Sequence, residues 1–168
     1  QSLRPGLAQI ACFDTAFHHG LTPPASRFAI PRSLEERGIR RYGFHGLSFE
    51  YVADRLTTLA PTQTRMVIAH LGNGASLCAL QNGKSADTTM GLTPLDGLVM
   101  GTRCGTIDPG ILLYLMQEEK MTVDEVQHLL YDGSGLLGVS GVSADMRTLL
   151  TSREPAAREA IELFTFRV

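Results

Sequence analysis

The chain has 168 residues, of which 43% are hydrophobic and 19% are charged, and its formal net charge is −2 at pH 7. This composition is typical of a globular protein with one ordinary-sized core and excludes a disordered chain. The small net charge and the scattered Lys and Arg residues argue against nucleic-acid binding. No apolar run approaches the ~18 residues of a membrane span. The first residues lack the apolar core of a signal peptide.

Two further features concern the compartment and the ends of the chain. The three cysteines are far apart and form no C-x-x-C pair, which indicates a reduced, cytoplasmic protein: Cys12, Cys78 and Cys104. The chain has no initiating Met, and its last residues, "REAIELFTFRV", stop inside a helical pattern. We therefore expect it to be a piece of a longer protein.

The first third of the chain predicts two strands and two helices. The apolar run at 8–14, "AQIACFD", reads as a buried strand. After a loop with three prolines, residues 32–38 predict one or two helical turns that Gly38 ends. A short strand is expected before Gly43. Residues 47–60 predict a helix whose large apolar side chains recur at helical spacing: Leu47, Tyr51, Val52, Leu56 and Leu59.

The middle of the chain predicts a hairpin and a long loop. Residues 65–71, "RMVIAHL", read as a strand, and Asn82-Gly83 between two strand-like runs is the strongest short signal for a hairpin. Residues 90–110 form a Gly- and Pro-rich loop, and loops of this length are usually functional or disordered. Asp108 and Pro109 then begin a helix, as N-cap and first-turn proline.

The last third of the chain predicts helices around a second glycine-rich loop. Thr122 and Glu125 form a capping box before an apolar helical run. The glycine-rich loop is expected at 133–145, and helices at 146–152 and 154–164.

Several partial motif matches do not hold. Leu77 stands where a dinucleotide fingerprint requires its third glycine, and Cys78 stands at the first glycine of a P-loop, so the hairpin explains "NGKS" better. Of the five histidines only His18 and His19 are close in sequence, which is weak support for a zinc site. His128 lies in a helical pattern and is expected at the surface or at the edge of the core.

One pattern recurs four times: a polar side chain follows a strand-like run, and in three of the four places glycine stands close by. It occurs in "CFDT", "YGFHG", "AHLGNG" and "MGTRCG", although "CFDT" carries only the polar residue. Glycine lets the backbone approach a ligand closely, and a row of backbone N–H groups forms a phosphate cradle. Tight turns without a ligand, satisfied core histidines and a loop salt bridge are the alternatives. The candidate residues are Asp14, His45, His70, Arg103 and the loop Gly72, Asn73 and Gly74.

These stretches resemble the acetokinase family, that is acetate kinase and its propionate and butyrate kinase relatives. The resemblance runs in unbroken order from about Cys12 to Arg147: "FDTAFH", "RRYGFHGLS", "AHLGNGAS", "NGKSADTTMGLTPLDGLVMGTRCGTIDPG" and "GVSADMR". It implies an α/β, ribonuclease-H-like (actin-like ATPase) fold, with a mixed sheet flanked by helices, that is incomplete in this chain. Residues 1–16 would end the first such domain, and 17–168 would form the first part of the second. Family members usually form homodimers.

The resemblance also implies roles for individual residues. Asp14 would be the catalytic aspartate associated with Mg²⁺, and His45 and His70 would contact the transferring phosphoryl group. Arg103 would hold the acyl carboxylate and phosphoryl oxygens. Phe44 and Pro94 would wall the acyl pocket. The nucleotide would contact His70, Gly72, Asn73, Gly74, Asp145, Met146 and Arg147.

The implied reaction is reversible transfer of a phosphoryl group from Mg-ATP to a short carboxylate such as acetate, which gives an acyl phosphate and ADP. The acceptor is already an anion at pH 7, so no general base is needed. Arginine can bridge both anions, and two histidines can donate to phosphoryl oxygens. The alternatives are a propionate or butyrate kinase, a kinase of a hydroxyl group with Asp14 as base, a nucleotide-binding module without turnover, and a non-catalytic fragment. The 168 residues alone are expected to be inactive.

Four positions depart from the family pattern. Thr106 stands where aspartate is common, Phe49 where histidine is common, and Leu47 where threonine is common. Cys104 replaces a serine next to Arg103, and this neighbouring positive charge predicts a depressed thiol pKa.

Overall fold

The structure, a computed structural model, describes residues 3, 4 and 6–168 and has the α/β architecture expected. In this part of the chain three strands form one antiparallel sheet in the order β1-β2-β3: Arg65–Leu71, Ala75–Gln81 and Lys84–Thr88. Helices α1 to α7 are Arg32–Glu36, Gly46–Leu59, Pro109–Gln117, Val123–Asp132, Gly135–Ser140, Met146–Thr151 and Pro155–Arg167, and Ala16–His18 is a single 3-10 turn. Across residues 3, 4 and 6–168, none of these helices has the length and apolar character that crossing a membrane requires.

The sheet is a meander with two short connections. Residues 72–74 join β1 to β2, and Asn82 and Gly83 join β2 to β3. Both turn residues have positive φ, +52° and +74°, as the favoured two-residue hairpin turn requires. The predicted strand at 65–71 and the predicted hairpin are therefore confirmed, and "NGKS" belongs to a turn.

Helix α2 covers one face of the sheet. Phe49 and Ala53 of α2 are buried against Ile68, Cys78 and Leu80 of the sheet. The apolar face expected for this helix was partly wrong, because it combined residues from two sides. Two of its members, Tyr51 and Leu59, are mostly exposed, and Leu47 is about half exposed.

Two predicted strands near the N-terminus do not form. Residues 8–13 are exposed and have no regular secondary structure, and no described strand pairs with them. A strand is stable only when a neighbour satisfies its backbone hydrogen bonds. Before Gly43 the backbone instead makes isolated bonds, with the N–H groups of Tyr42 and Gly43 both donating to the carbonyl of Gly91.

The C-terminal helices form a second core. Leu136 of α5 and Leu149 of α6 are buried against Ala157 and Ala160 of α7, together with Val99. Small side chains on α7 let the helices approach closely. The glycine-rich loop expected at 133–145 is therefore wrong for residues 135–140, where packing overrides the low helix propensity of glycine.

Three other predicted helix boundaries are confirmed, whereas the last helix, predicted at 154–164, extends to Arg167. Asp108 caps α3 by accepting a hydrogen bond from the Gly110 N–H at 2.8 Å. The capping box of Thr122 and Glu125 begins α4. Helix α1 ends at Glu36, and Gly38 just beyond it has a φ of +89°.

Candidate active site

Four polar side chains from distant parts of the chain meet beside the loop that joins β1 to β2. The rings of His45 and His70 stack with centroids 4.1 Å apart and planes 23° from parallel. Asp14 Oδ2 accepts a hydrogen bond of 2.7 Å from the backbone N–H of His45. A Cβ placed on Gly74 would lie 3.2 Å from His45 Nε2 and 3.4 Å from Arg103 Nη1. The four residues, predicted from separate motifs, therefore lie together in the structure.

His45 has a strained backbone that Asp14 holds in place. Its φ of +58° and ψ of +23° lie in the left-handed region, which costs a non-glycine residue roughly 1–2 kcal/mol. Asp14 accepts from two successive N–H groups, with its carboxylate from His45 and with its carbonyl from Gly46 at 2.7 Å. A Cβ at Gly46 would collide with that carbonyl. Asp14 thus fixes the start of α2 and the direction of the His45 ring.

Both histidine rings are held on their far side by residues that the sequence analysis missed. Ser76 Oγ lies 2.8 Å from His45 Nδ1, and Ser48 Oγ lies 2.9 Å from His70 Nδ1. Phe49 is fully buried and sits edge-on to both rings, with centroids 6.4 Å away. The signal was present, since both serines lie in the same short motifs as the histidines, "FHGLS" and "AHLGNGAS".

The environment of His45 favours its neutral form. Burial lowers the pKa of His45, and the neighbouring His70 and Arg103 lower it further, against the opposing effect of the Asp14 carboxylate. A neutral imidazole carries a single N–H. At pH 7 His45 can therefore act as a hydrogen-bond donor that does not itself carry charge.

The loop of Gly72, Asn73 and Gly74 keeps space open in front of the two rings. A Cβ on Gly72 would lie 3.2 Å from His70 Nε2, just as one on Gly74 would crowd His45. Asn73 anchors the loop, because its carbonyl accepts from the Gly101 N–H at 2.9 Å. The absence of side chains at both glycines leaves room for a ligand against the Nε2 atoms.

Arg103 is held by the long loop that carries it. Its Nη1 donates to the carbonyl of Pro94 at 3.1 Å and lies 3.8 Å from Met100 Sδ. Phe44, next to His45, packs against the buried cluster of Ala75, Met90, Leu98 and Met100. Pro94 therefore contacts Arg103 through its carbonyl oxygen. Phe44, the residue before His45, packs against the buried apolar cluster.

The expected nucleotide segment shares a cleft with the glycine loop. A cleft of about 650 Å³ is lined by Gly72 and Asn73 together with Asp145, Met146 and Arg147. Asp145 caps α6 and accepts from the Arg147 backbone at 2.9 Å and from its guanidinium at 3.0 Å. These hydrogen bonds lower the pKa of Asp145. Its carboxylate is therefore engaged with α6.

His18, His128 and Cys104 lie outside the cluster of Asp14, His45, His70 and Arg103. His18 is buried and bonds with both ring nitrogens, to Ser85 Oγ at 2.8 Å and to the Phe44 carbonyl at 3.0 Å. His128 is exposed, as expected, and pairs with Asp132 at 3.0 Å. Burial raises the pKa of the Cys104 thiol. The expected depression of that pKa is therefore wrong, and the reason is that desolvation of the thiolate dominates.

Asp14 is the residue expected to associate with Mg²⁺, and one carboxylate suits that ion. Among residues 3, 4 and 6–168 no group of three or more His, Cys, Asp or Glu side chains is placed to hold a metal. Protein-bound Mg²⁺ commonly uses one or two carboxylates, several waters and substrate phosphates. A site shared between Asp14 and a nucleotide fits this preference.

Comparison with known proteins finds the acetokinase family along the whole chain. The model of the acetokinase family matches residues 1–168. The acetate kinase of Rhodopseudomonas palustris (strain TIE-1) is 60% identical over 169 residues, which cover 99% of this chain and 42% of that protein. The acetate kinase of Methylocella silvestris is 54% identical, with 98% and 41% covered.

Solved structures agree with the sequence matches. A crystal structure of Porphyromonas gingivalis acetate kinase superposes with a TM-score of 0.92 at 40% identity, over 99% of this chain and 43% of that one. A propionate kinase from Francisella tularensis gives 0.94 at 44% identity, over 99% and 44%. The chain therefore contains part of an actin-like ATPase fold. It belongs to the acetokinase family and spans about 42% of the length of the first curated relatives that it matches.

Proposed function

We propose that the full-length protein containing this chain is an acetate kinase, which reversibly transfers the γ-phosphoryl group of Mg-ATP to acetate and gives acetyl phosphate and ADP. One observation carries the proposal. The Nη1 of Arg103 and the Nε2 atoms of His45 and His70 surround the space left open by Gly72 and Gly74.

The main obstacle to this reaction is repulsion between two anions. Acetate and the phosphoryl group both carry negative charge, and two unit charges 4 Å apart repel by roughly 4 kcal/mol at an effective dielectric of 20. Arg103 offers a planar set of donors that can bridge both anions. The two Nε2 atoms can donate to phosphoryl oxygens as charge shifts during transfer. Because acetate is already deprotonated, the site needs no general base.

The cleft beside the glycine loop supports a position for the nucleotide. The ATP phosphates would lie along Gly72, Asn73 and Gly74, and the adenosine would lie near Asp145, Met146 and Arg147, across the same cleft. His70, at the end of β1, would contact the phosphate chain. Mg²⁺, held by Asp14, would supply positive charge against the phosphate oxygens.

The whole-protein setting is part of the same proposal. Residues 1–16 would end a first domain and 17–168 would begin a second, and the exposed apolar side chains of Ile10 and Phe13 support contact with further parts of the first domain. We expect a cytoplasmic homodimer that acts on small molecules and not on nucleic acid or membranes. The cysteines, none of which is paired, are consistent with a reducing compartment.

A propionate kinase is the second candidate. It is favoured by the Francisella tularensis propionate kinase, whose TM-score of 0.94 is slightly higher than the 0.92 of the Porphyromonas gingivalis acetate kinase. Phe44 and Pro94 would wall the acyl pocket, and one extra methylene is worth only about 1–3 kcal/mol in such a pocket. The preference between acetate and propionate must therefore be determined by measuring kcat/KM for each.

The test is a hydroxylamine-trap assay for acyl phosphate on the full-length protein, with Mg-ATP and either acetate, propionate or butyrate. The highest kcat/KM is expected with acetate. Arg103→Ala should lower kcat/KM by roughly 10²–10³-fold, the range for loss of one transition-state donor. Arg158→Ala is the control, because Arg158 is exposed and pairs with Glu162 on the same helix. Folded protein that binds ATP but phosphorylates none of the three acids would overturn the proposal.

A further inference from the structure

Ser76 and Ser48 contact the two histidines in the same way. Each hydroxyl lies within 2.9 Å of an Nδ1 atom, while the Nε2 atoms of both rings face the glycine loop. A neutral histidine can carry its proton on either nitrogen, and a hydrogen bond at one nitrogen decides which. The direction of the serine bonds therefore determines what the site presents to a phosphoryl group.

The burial of Ser76 determines the direction of its hydrogen bond to His45. Its side chain is fully buried, and within the described residues its hydroxyl makes one hydrogen bond, to His45 Nδ1. If the hydroxyl accepted a hydrogen bond from Nδ1–H, its own O–H would be left without an acceptor in the core. A buried donor without a partner is unfavourable, because its hydrogen bond to water is lost and not replaced. If the hydroxyl donates, that cost disappears and the proton of His45 lies on Nε2.

Ser48 repeats the arrangement from helix α2. In the described residues its hydroxyl makes one hydrogen bond, to His70 Nδ1 at 2.9 Å. Ser48 is only half-buried. Water can therefore complete the hydrogen bonding of its hydroxyl whether the hydroxyl donates to His70 Nδ1 or accepts from it. The stacked geometry supplies the second constraint, because both rings present the same edge to the same loop. A matched pair of N–H donors would suit the several oxygens of one phosphoryl group.

We propose that Ser76 and Ser48 are positioning residues that hold His45 and His70 as Nε2–H tautomers, so that two N–H groups face the space beside Gly72 and Gly74. With the opposite tautomer each ring would present a lone pair to the phosphoryl oxygens, which is repulsive. The catalytic part of this inference rests on the proposed kinase function. The tautomers themselves do not, since they follow from contacts within the chain.

The test combines spectroscopy with kinetics on the full-length protein. Two-dimensional ¹⁵N–¹H NMR of ¹⁵N-histidine-labelled protein, above the ordinary histidine pKa of about 6.5, distinguishes protonated from bare ring nitrogens. The His45 and His70 signals are assigned by their loss in His45→Asn and His70→Asn. We expect protonated Nε2 and bare Nδ1 in both. A protonated Nδ1 on His45 in the parent protein would overturn the proposal.

Serine variants provide the second arm. Ser48→Ala should mix the His70 tautomers and lower kcat about tenfold with little change in the KM for ATP, because the lost donor acts mainly in the transition state. Ser48→Thr keeps the hydroxyl at a half-buried helix position and should restore both the tautomer and kcat. Ser26→Ala is the control, since Ser26 is buried outside the site. Unchanged tautomers and kcat in Ser48→Ala would also contradict the proposal.

The outcomes separate this inference from the proposed function. Nε2–H tautomers in a protein that phosphorylates no acid would leave the serine assignment standing and remove the kinase. Acyl phosphate formation by a protein with Nδ1–H tautomers would do the reverse.

Discussion

At the scale of single residues, the space around His45 matters as much as its chemistry. Its ring stacks on His70, its backbone is held by Asp14, and its Nε2 faces a loop that has no side chain at Gly74. These contacts bring together three separate segments, around Asp14, around His45 and at 70–74. His45, His70 and Arg103 were predicted from their glycine-rich surroundings, because that signal is local. Ser76 and Ser48 lie in the same motifs, but each contacts the histidine of the other motif, and that pairing depends on how distant segments pack.

Gly74→Ala should impair the site without unfolding the protein. The added methyl would lie 3.2 Å from His45 Nε2 and 3.4 Å from Arg103 Nη1, which is tight but not a collision with backbone. We expect kcat/KM to fall at least tenfold, on the proposed function, while the unfolding midpoint changes little. Gly20→Ala is the matched control, because a Cβ there meets nothing within 4 Å. Equal kinetics for the two variants would show that the Gly74 space is not used.

His18 should make stability depend on pH. Burial lowers the pKa of His18, so the unfolded chain binds the proton more readily than the folded chain does. The contribution of His18 is therefore fully present above its unfolded pKa of about 6.5 and is lost as pH falls through that value toward the lower folded pKa. Urea unfolding from pH 7.5 to 5.5, about one unit on each side, should show a steeper fall for the parent than for His18→Gln. Gln127→Ala, an exposed change that removes no titratable group, should retain the parent slope.

At the scale of elements, those set by local sequence were predicted, and those that depend on tertiary packing were not. The hairpin turn at Asn82-Gly83 and the caps at Asp108 and Thr122 are set by neighbours in sequence, and all three were predicted. Helix α5 was not, because its glycines disfavour a helix and only its packing on α7 compensates. The segment 8–14 was predicted as a strand from its apolar run, which does not reveal whether a pairing partner exists.

The cap of α4 provides a test at this scale. Thr122→Ala removes the hydroxyl that accepts from the Glu125 N–H at 3.3 Å, and with it one half of the capping box. Loss of an N-cap hydroxyl costs about 1 kcal/mol. We expect the free energy of unfolding of the full-length protein to fall by that amount in urea. Thr122→Ser, which keeps the hydroxyl, should remain within about 0.5 kcal/mol of the parent; similar losses in both variants would refute the capping role.

At the scale of the whole molecule, Arg41 connects the hairpin to the long loop that carries Arg103. Its Nη1 donates to the carbonyls of Thr88 at 3.1 Å and Met90 at 2.9 Å, and lies 3.6 Å from Asp96 Oδ2. Thr106 donates to the other oxygen of Asp96 at 2.9 Å. An aspartate in place of Thr106, common in the family, could not donate from its ionised side chain. This departure therefore exchanges an acidic neighbour of Asp96 for a donor.

Arg41→Lys should loosen this connection. A lysine has one ammonium in place of the planar guanidinium, so it cannot reproduce the same set of contacts to carbonyl and carboxylate oxygens. We expect faster hydrogen exchange across 89–106 and a lower kcat/KM, since Arg103 lies on that segment. Arg27→Lys serves as the control, because Arg27 pairs with Glu35 on the surface. Unchanged exchange in 89–106 would rule out an anchoring role for Arg41.

The two hydrogen bonds from Asp14 to the start of α2 have a mechanical consequence. With a domain boundary near residue 16, as proposed, Asp14 would move with one domain and His45 with the other. Swinging the domains apart would then pull on the same bonds that keep His45 left-handed. Asp14 would act as a latch at a hinge: the donor geometry of His45 would be set when the halves shut and released when they open, and no separate switch would be needed.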